Sequence, residues 1–464
     1  MRSLRCVQTL LVIIPLLLLS ACSGNSSSST TPPSSQQSAS VYTIGTDAPL
    51  PSIVSCELTV SGITIFNGTN NVSVFSDPQI VDFAQLSGLH QLLDLESVQP
   101  GTYTSATLTI SNPVIGFIDT TQTPPVVNTI NGTLSETSVT VNFASPFVVQ
   151  NADLIGLRME FDLRKSLMVD GTGQVTGQVN PVFEMSLHNA SDSEVSIDEF
   201  YAGVTSVTGA TTFNVQGPHG RAWSVGTNDN TVFDDPDDPI SSYTTNTIVS
   251  LTGQLDPVSH DIMASEVQVV STDGFFLGGL LTYVNPATGP ATTVNLYVRD
   301  ELPAINGISP GDITALALNG SENYRIGNIK LPLTTLLFNN SALAAGQRVG
   351  IGGMTATNNG ATTLTVHRVV LRRQGQAGTL AGDVVIQSGN AGSFQLNDDW
   401  TAGILLPQPL TVLTTNNTNF INLSGLSALQ GQTGMSLRVV GFILIDPQTS
   451  QPVLVACSVE QLNS

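Results

Sequence analysis

From Val41 to Gln461 the chain carries almost none of the Glu/Lys periodicity that a surface helix needs. Lysine occurs only at Lys165 and Lys330, and charged residues make up 11% of the chain. Thr, Ser, Asn, Gly and Val are plentiful instead. β-Branched residues suit pleated strands, while Asn and Gly suit tight turns. Alternating runs appear at Val54–Val60, Ala106–Ile110, Ser138–Phe143, Leu157–Leu163 and Gly173–Val179, with turns such as Pro100-Gly101-Thr102-Tyr103 between them. Short strands so punctuated indicate a β-sandwich for the first part of the chain. Gly62 breaks one alternation as a bulge would, and the stretch Val81–Leu95 is expected to hold a short strand and a helical turn near Gln91.

Four strings in order carry a resemblance: Thr46-Asp47-Ala48-Pro49, Gly101-Thr102-Tyr103-Thr104, Asp162-Leu163-Arg164-Lys165-Ser166 and Asn180-Pro181-Val182. In these the first domain resembles the bacterial lipoprotein family catalogued as domain of unknown function 4382. The resemblance covers about a third of the chain and implies export and a β-rich module, but no reaction.

Beyond residue 192 the chain repeats itself. Thr231-Val232-Phe233, Leu336-Leu337-Phe338 and Thr418-Asn419-Phe420 each precede a Gly-ended strand and a closing strand, and Val267, Val369 and Val459 correspond. Short strands with glycine kinks suit small closed barrels. The repeats resemble the family numbered domain of unknown function 5666. The expected fold class is therefore all-β: an N-terminal β-sandwich followed by three small β-barrel-like repeats, with an OB-like topology as the working template. The expected boundaries are 41–192 for the sandwich and 193–272, 273–375 and 376–464 for the repeats.

The first 40 residues predict an address. Arg2 and Arg5 precede an apolar run from Val7 to Leu19, which is shorter than the roughly 20 residues that span a bilayer. Basic flank, apolar middle and small residues make a secretory signal over 1–21. Leu19-Ser20-Ala21-Cys22 resembles a bacterial lipobox, in which the peptidase reads Leu19, Ser20 and Ala21 and the Cys22 thiol takes the diacylglycerol. Ser23 is not the Asp that retains some lipoproteins at the inner membrane, so an outer-membrane address is expected in a two-membrane cell. Residues 22–40 are Ser, Thr, Pro, Gln and Asn with too little apolar surface to fold, and are expected to form a tether.

Loss of the leader leaves 12 basic against 35 acidic residues. Phosphate backbones are bound by Lys and Arg clusters, so nucleic acid is not an expected partner. The expected partners are the membrane, through the lipid, and an envelope protein or polysaccharide. Cys56 and Cys457 each fall on the apolar parity of a strand, so two buried thiols are expected rather than a bridge between the ends.

Little in the chain suggests catalysis, and no catalytic residue or cofactor is expected. Gly307-Ile308-Ser309-Pro310-Gly311 matches G-x-S-x-G, but that motif needs a backbone N–H after the serine and residue 310 is proline. Asp229, Asp234, Asp235, Asp237 and Asp238 form an acidic loop that could weakly hold a cation, although a solvated loop is the simpler reading. His90, His188, His219, His260 and His367 are scattered, which supports no transition-metal site. Trp223 and Trp400 could stack on sugar rings, but rare tryptophans in β domains are usually core. A non-enzymatic binding, adhesion or structural role is therefore expected. The rivals are a carbohydrate-active hydrolase with paired carboxylates and a docking partner of another envelope protein.

Overall fold

The computed structural model describes residues 38–462 apart from 49, 51, 76, 87–88, 172–173, 218–219, 221, 235–238, 273, 328–335, 359–360 and 399–402. The leader, Leu19, Ser20, Ala21, Cys22 and most of the tether lie outside the described residues, as do Trp400, His219, Asp235, Asp237 and Asp238.

Alternating burial along the first strands builds two facing sheets. One has the order Phe183–Asn189, Leu154–Asp162, Ala39–Ala48, Gln91–Val98, with only the central pair parallel. In the other, Asn71–Phe75, Ile53–Phe66, Gly101–Asp119 and Val126–Asn131 lie side by side, with Gln79–Asp82 and Ser138–Val149 added to the long central strands. Val41, Leu157 and Phe161 of the first sheet meet Cys56, Leu58 and Ile110 of the second in one core. The bulge expected at Gly62 is present as a register shift between Val60 and Gly62.

Two local expectations change. The helical turn is a 3-10 turn at Phe83–Leu86, which buries Phe83, Ala84 and Leu86, whereas Gln91 opens a strand. The first strand begins at Ala39, inside the expected tether, because Ala39 is buried and the Ser40 N–H donates to the Asp153 carbonyl at 2.8 Å.

Beyond residue 192 the described chain forms three six-stranded sheets of identical order. In the first, Ile197–Val207, Thr212–Gln216 and Ala222–Gly226 form a meander, and Ile248–Leu255 pairs with Ile197–Val207 on its other side. Ile262–Ser271 follows next to Ile248–Leu255, then the short parallel strand Val232–Phe233. Ala222–Gly226 also runs parallel to Ile262–Ser271, closing the sheet into a barrel. Five strands so connected follow the OB-type path. The third sheet, Gln374–Ser388 to Pro452–Gln461, repeats both order and closure, and the second, Phe275–Asn285 to Ala361–Leu371, repeats the order.

The short parallel strand places an aromatic ring beside each of the three corresponding valines: Phe233 opposite Val267, Tyr324 opposite Val369, Phe420 opposite Val459. In the second unit this strand is Asn323–Ile326, not the expected Leu336-Leu337-Phe338. The misalignment has a physical source, since Phe338 packs edge-on against Tyr324 with ring centroids 5.8 Å apart.

Gly253, Gly353 and Gly441 occupy one position in the three units, each at a register shift between the last two long strands. A Cβ there would run into the carbonyl oxygen of Met263, Thr365 or Val455 respectively. These glycines let the strand turn the barrel's corner. Gly353→Ala should destabilise the protein by about 1–3 kcal/mol, read as a lower urea midpoint. Gly171→Ala, with nothing within 4 Å of its Cβ, should stay within about 0.5 kcal/mol.

The barrels are not separate beads. Ala39–Ala48 is buried on both faces: Val41 belongs to the sandwich core, while Tyr42 and Ile44 join Trp223, Phe213 and Val249 in the first barrel's core. Phe442, Leu444, Val453 and Val455 of the third barrel pack into the core of the second. Burying one Ile or Leu contributes roughly 1.5–3 kcal/mol, so a few such residues across a joint rival the stability of a whole domain.

Candidate functional site

The charged side chains are organised at the joints between modules. Asp198 and Glu199 stand on the first strand of the first barrel. Glu199 adopts φ 45°, within a stretch of shifted register between Ile197 and Phe200. A bulge of this kind re-aims side chains, and here the Glu199 carboxylate meets arginines of the next unit. Arg348 Nη1 donates to Glu199 Oε2 at 2.7 Å and to the Arg373 carbonyl at 2.8 Å. Arg373 Nη2 donates to Asp198 Oδ1 at 3.1 Å, and His90 of the sandwich lies 3.2 Å from Asp198 Oδ2. Arg372 sits over the Tyr201 ring at 5.1 Å and donates to Gln268.

Burial works against the charge of Asp198 and Glu199, but the facing guanidinium groups outweigh it. Arg373 and His90 hold Asp198 well below the usual carboxylate range, and Arg348 holds Glu199 below it. Burial dominates elsewhere. It pushes the Asp82 carboxyl up to about 6 against the pull of Arg299, and raises Asp47, Asp234, Glu266 and Asp300.

A second charged cluster lines a cleft of about 370 Å³ between the sandwich and the third barrel. Arg438 is its centre: Nη1 reaches Glu160 Oε1 at 2.9 Å, and Nη2 and Nε reach Glu460 Oε2 at 2.7 and 2.9 Å. Arg158 also pairs with Glu160, and Lys165 with Asp162 at 3.0 Å. Asp162 caps a four-residue helical turn by accepting from the Lys165 N–H, which aims Arg164 and Lys165 at the cleft rim. Four basic side chains of an otherwise base-poor chain thus surround one cleft, each beside a carboxylate or near one. Among the described residues no aromatic side chain lines it.

A third depression, about 440 Å³, lies between the sandwich and the first barrel and is lined by Phe200, Trp223, Gln79, Gln91, Asp77 and Asp94 among others.

The structure does not bring the candidates read from sequence into one site. Ser309 lies on an exposed turn, where its N–H donates to Asp312 Oδ2 at 2.8 Å. Asp229 is exposed, whereas Asp234 turns inward, accepting from the Val269 N–H at 3.2 Å and facing Arg325 at 3.6 Å. Among the described residues no three His, Cys, Asp or Glu side chains converge as a metal site requires. Cys56 is buried and Cys457 half-buried, and both thiols are free. Trp223 is 8% exposed, within the first barrel's core. Sequence reasoning missed the joint network, although a signal existed: the charged doublets Asp198-Glu199 and Arg372-Arg373 interrupt apolar strand ends in a chain with few charges.

Fold and charge distribution together define an all-β protein of one sandwich and three like barrels joined through buried ion pairs. Residues 38–177 match the family described as Domain of unknown function (DUF4382). The match spans three of the four strings noted above and ends within the strand Val175–Val179. No curated protein matches the chain.

Proposed function

We propose that this chain is a lipid-anchored, non-enzymatic protein of the bacterial cell envelope, held at the outer membrane through Cys22, whose β-built body serves binding, adhesion or envelope architecture. The observation that carries the non-enzymatic part is where the perturbed ionisable groups sit. Strongly shifted groups usually mark reactive sites, but Asp198, Glu199, Arg348, Arg373 and Arg438 face partners on other modules. That arrangement welds a rigid body rather than poising an acid or base. The anchor rests on Leu19-Ser20-Ala21-Cys22 and the Ser/Thr-rich stretch after it. The resemblance read in the repeat sequences to family 5666 implies export as well. Among the described residues no helix is long and apolar enough to cross a membrane.

Radiolabelled palmitate fed to expressing cells should enter the wild-type chain and leave it in the membrane fraction. Cys22→Ser should carry no label and lose the membrane association. Label in the mutant would refute the anchor.

A further inference from the structure

We infer that the small cavity where the sandwich meets the second and third barrels binds a single halide ion. The inference goes beyond the role proposed above and does not depend on the lipid anchor. Ala84 and Gln85 of the sandwich line the cavity, with Arg299 and Arg348 of the second barrel and Gln374 and Gln376 at the start of the third. Two guanidinium groups and three carboxamides thus border one space, and no Asp or Glu is among the described residues that line it. Its volume is about 40 Å³, room for one particle of water size, since a water molecule's share of the liquid is roughly 30 Å³. Phosphate, sulfate and organic carboxylates are too large for it.

Arg348, Arg373 and Arg438 each bond a carboxylate at their joints. Arg299 does not. Asp82 and Asp300 act on it electrostatically, but it forms no ion pair with a described carboxylate, and its buried Nε has no hydrogen-bond partner among the described residues. Arg348 commits Nη1 to Glu199 and the Arg373 carbonyl, while its Nε and Nη2 donate to no described residue. Gln85 and Gln374 donate to the carbonyls of Arg299 and Gly346. Gln376 is 6% exposed, and its carboxamide has no such partner among the described residues. Buried N–H groups without an acceptor cost free energy, and the positive charge of Arg348 works against that of Arg299. A halide meets both needs, because it accepts from several N–H groups at once and carries the compensating charge. A water molecule would accept those bonds but leave the charge of Arg299 unpaired.

The test melts the full chain at fixed pH and ionic strength while chloride replaces gluconate, an anion too large for the cavity. The thermal midpoint should rise with chloride, as it does for any ligand that binds only the folded state. The chloride NMR line of the same samples should broaden, and narrow again when bromide is added. Arg299→Gln should abolish both responses. Gln376→Leu should weaken chloride binding about tenfold or more, as loss of one hydrogen bond to a charged group does, and it decides the matter by the NMR line if Arg299→Gln does not fold. Lys165→Gln, at the rim of the cleft between the sandwich and the third barrel, should change neither response. Equal midpoints in chloride and gluconate with no broadening would overturn the assignment. So would a response that persists undiminished in Gln376→Leu, which would mean an adventitious ion only.

Discussion

Arg348→Met should lower the free energy of unfolding by about 3–5 kcal/mol, the cost of stranding a buried carboxylate without its partner. Arg348 is 8% exposed, and its Nη1 joins Glu199 of the first barrel to the backbone of Arg373, where the second barrel hands over to the third. Its own N–H donates to Gln374 Oε1 at 2.8 Å, and Gln374 returns a bond to the Gly346 carbonyl at 2.9 Å. Methionine keeps the aliphatic stem but leaves Glu199 charged, with the Tyr201 hydroxyl donating to Oε2 at 3.3 Å, Arg373 at 3.6 Å and Arg372 nearby in place of the short Arg348 bond. Combining Arg348→Met with Glu199→Gln should recover part of the loss, because the stranded charge is gone. A coupling of about 1–3 kcal/mol is expected for groups in direct contact. Urea unfolding followed by tryptophan fluorescence measures both. A single mutant within about 1 kcal/mol of wild type would mean that the apolar contacts, not this ion pair, hold the joint.

Stability should be greatest in mildly acidic solution and fall as pH rises to 7.5. The sign follows from the carboxyl groups that burial raises. Asp82, whose Oδ1 accepts from the Cys56 N–H at 2.7 Å and the Ala84 N–H at 3.1 Å, titrates near 6 in the fold. An acid with a raised folded pKa contributes stability that is complete below its unfolded value and is lost as pH rises through the folded one. For Asp82 that window runs from about 4 to about 6, and the difference corresponds to roughly 3 kcal/mol. Asp47, Asp234, Glu266 and Asp300 shift in the same direction. Asp198 and Glu199 act oppositely: their pKa values are lowered, so their contribution is present above the unfolded value and is lost as pH falls below about 4. The thermal midpoint should therefore be higher at pH 5 than at pH 7.5, and Asp82→Asn should flatten that slope. A midpoint that climbs steadily from pH 5 to 7.5 would contradict the burial argument.

Much of the strand plan was legible because alternation and turn chemistry are local. The bulge at Gly62, the correspondence of Val267, Val369 and Val459, and the repeated Gly-ended strands could all be read along the chain. What misled the reading was also physical. Phe338 imitates the aromatic of the short parallel strand, but Tyr324 takes that place opposite Val369. The apolar residues on both parities of Ala39–Ala48 are explained only when a barrel packs on the sandwich's outer face.

Composition and short-range pattern by themselves determined that this chain is strand-built, acidic and repetitive, because each depends on residues close together in sequence. Tertiary structure alone decided which charges meet. Glu199 and Arg348 are 149 residues apart, and Arg438 and Glu160 are 278 apart. Such pairings follow from how four modules dock, and a groove walled by one module and floored by another exists only once they have done so.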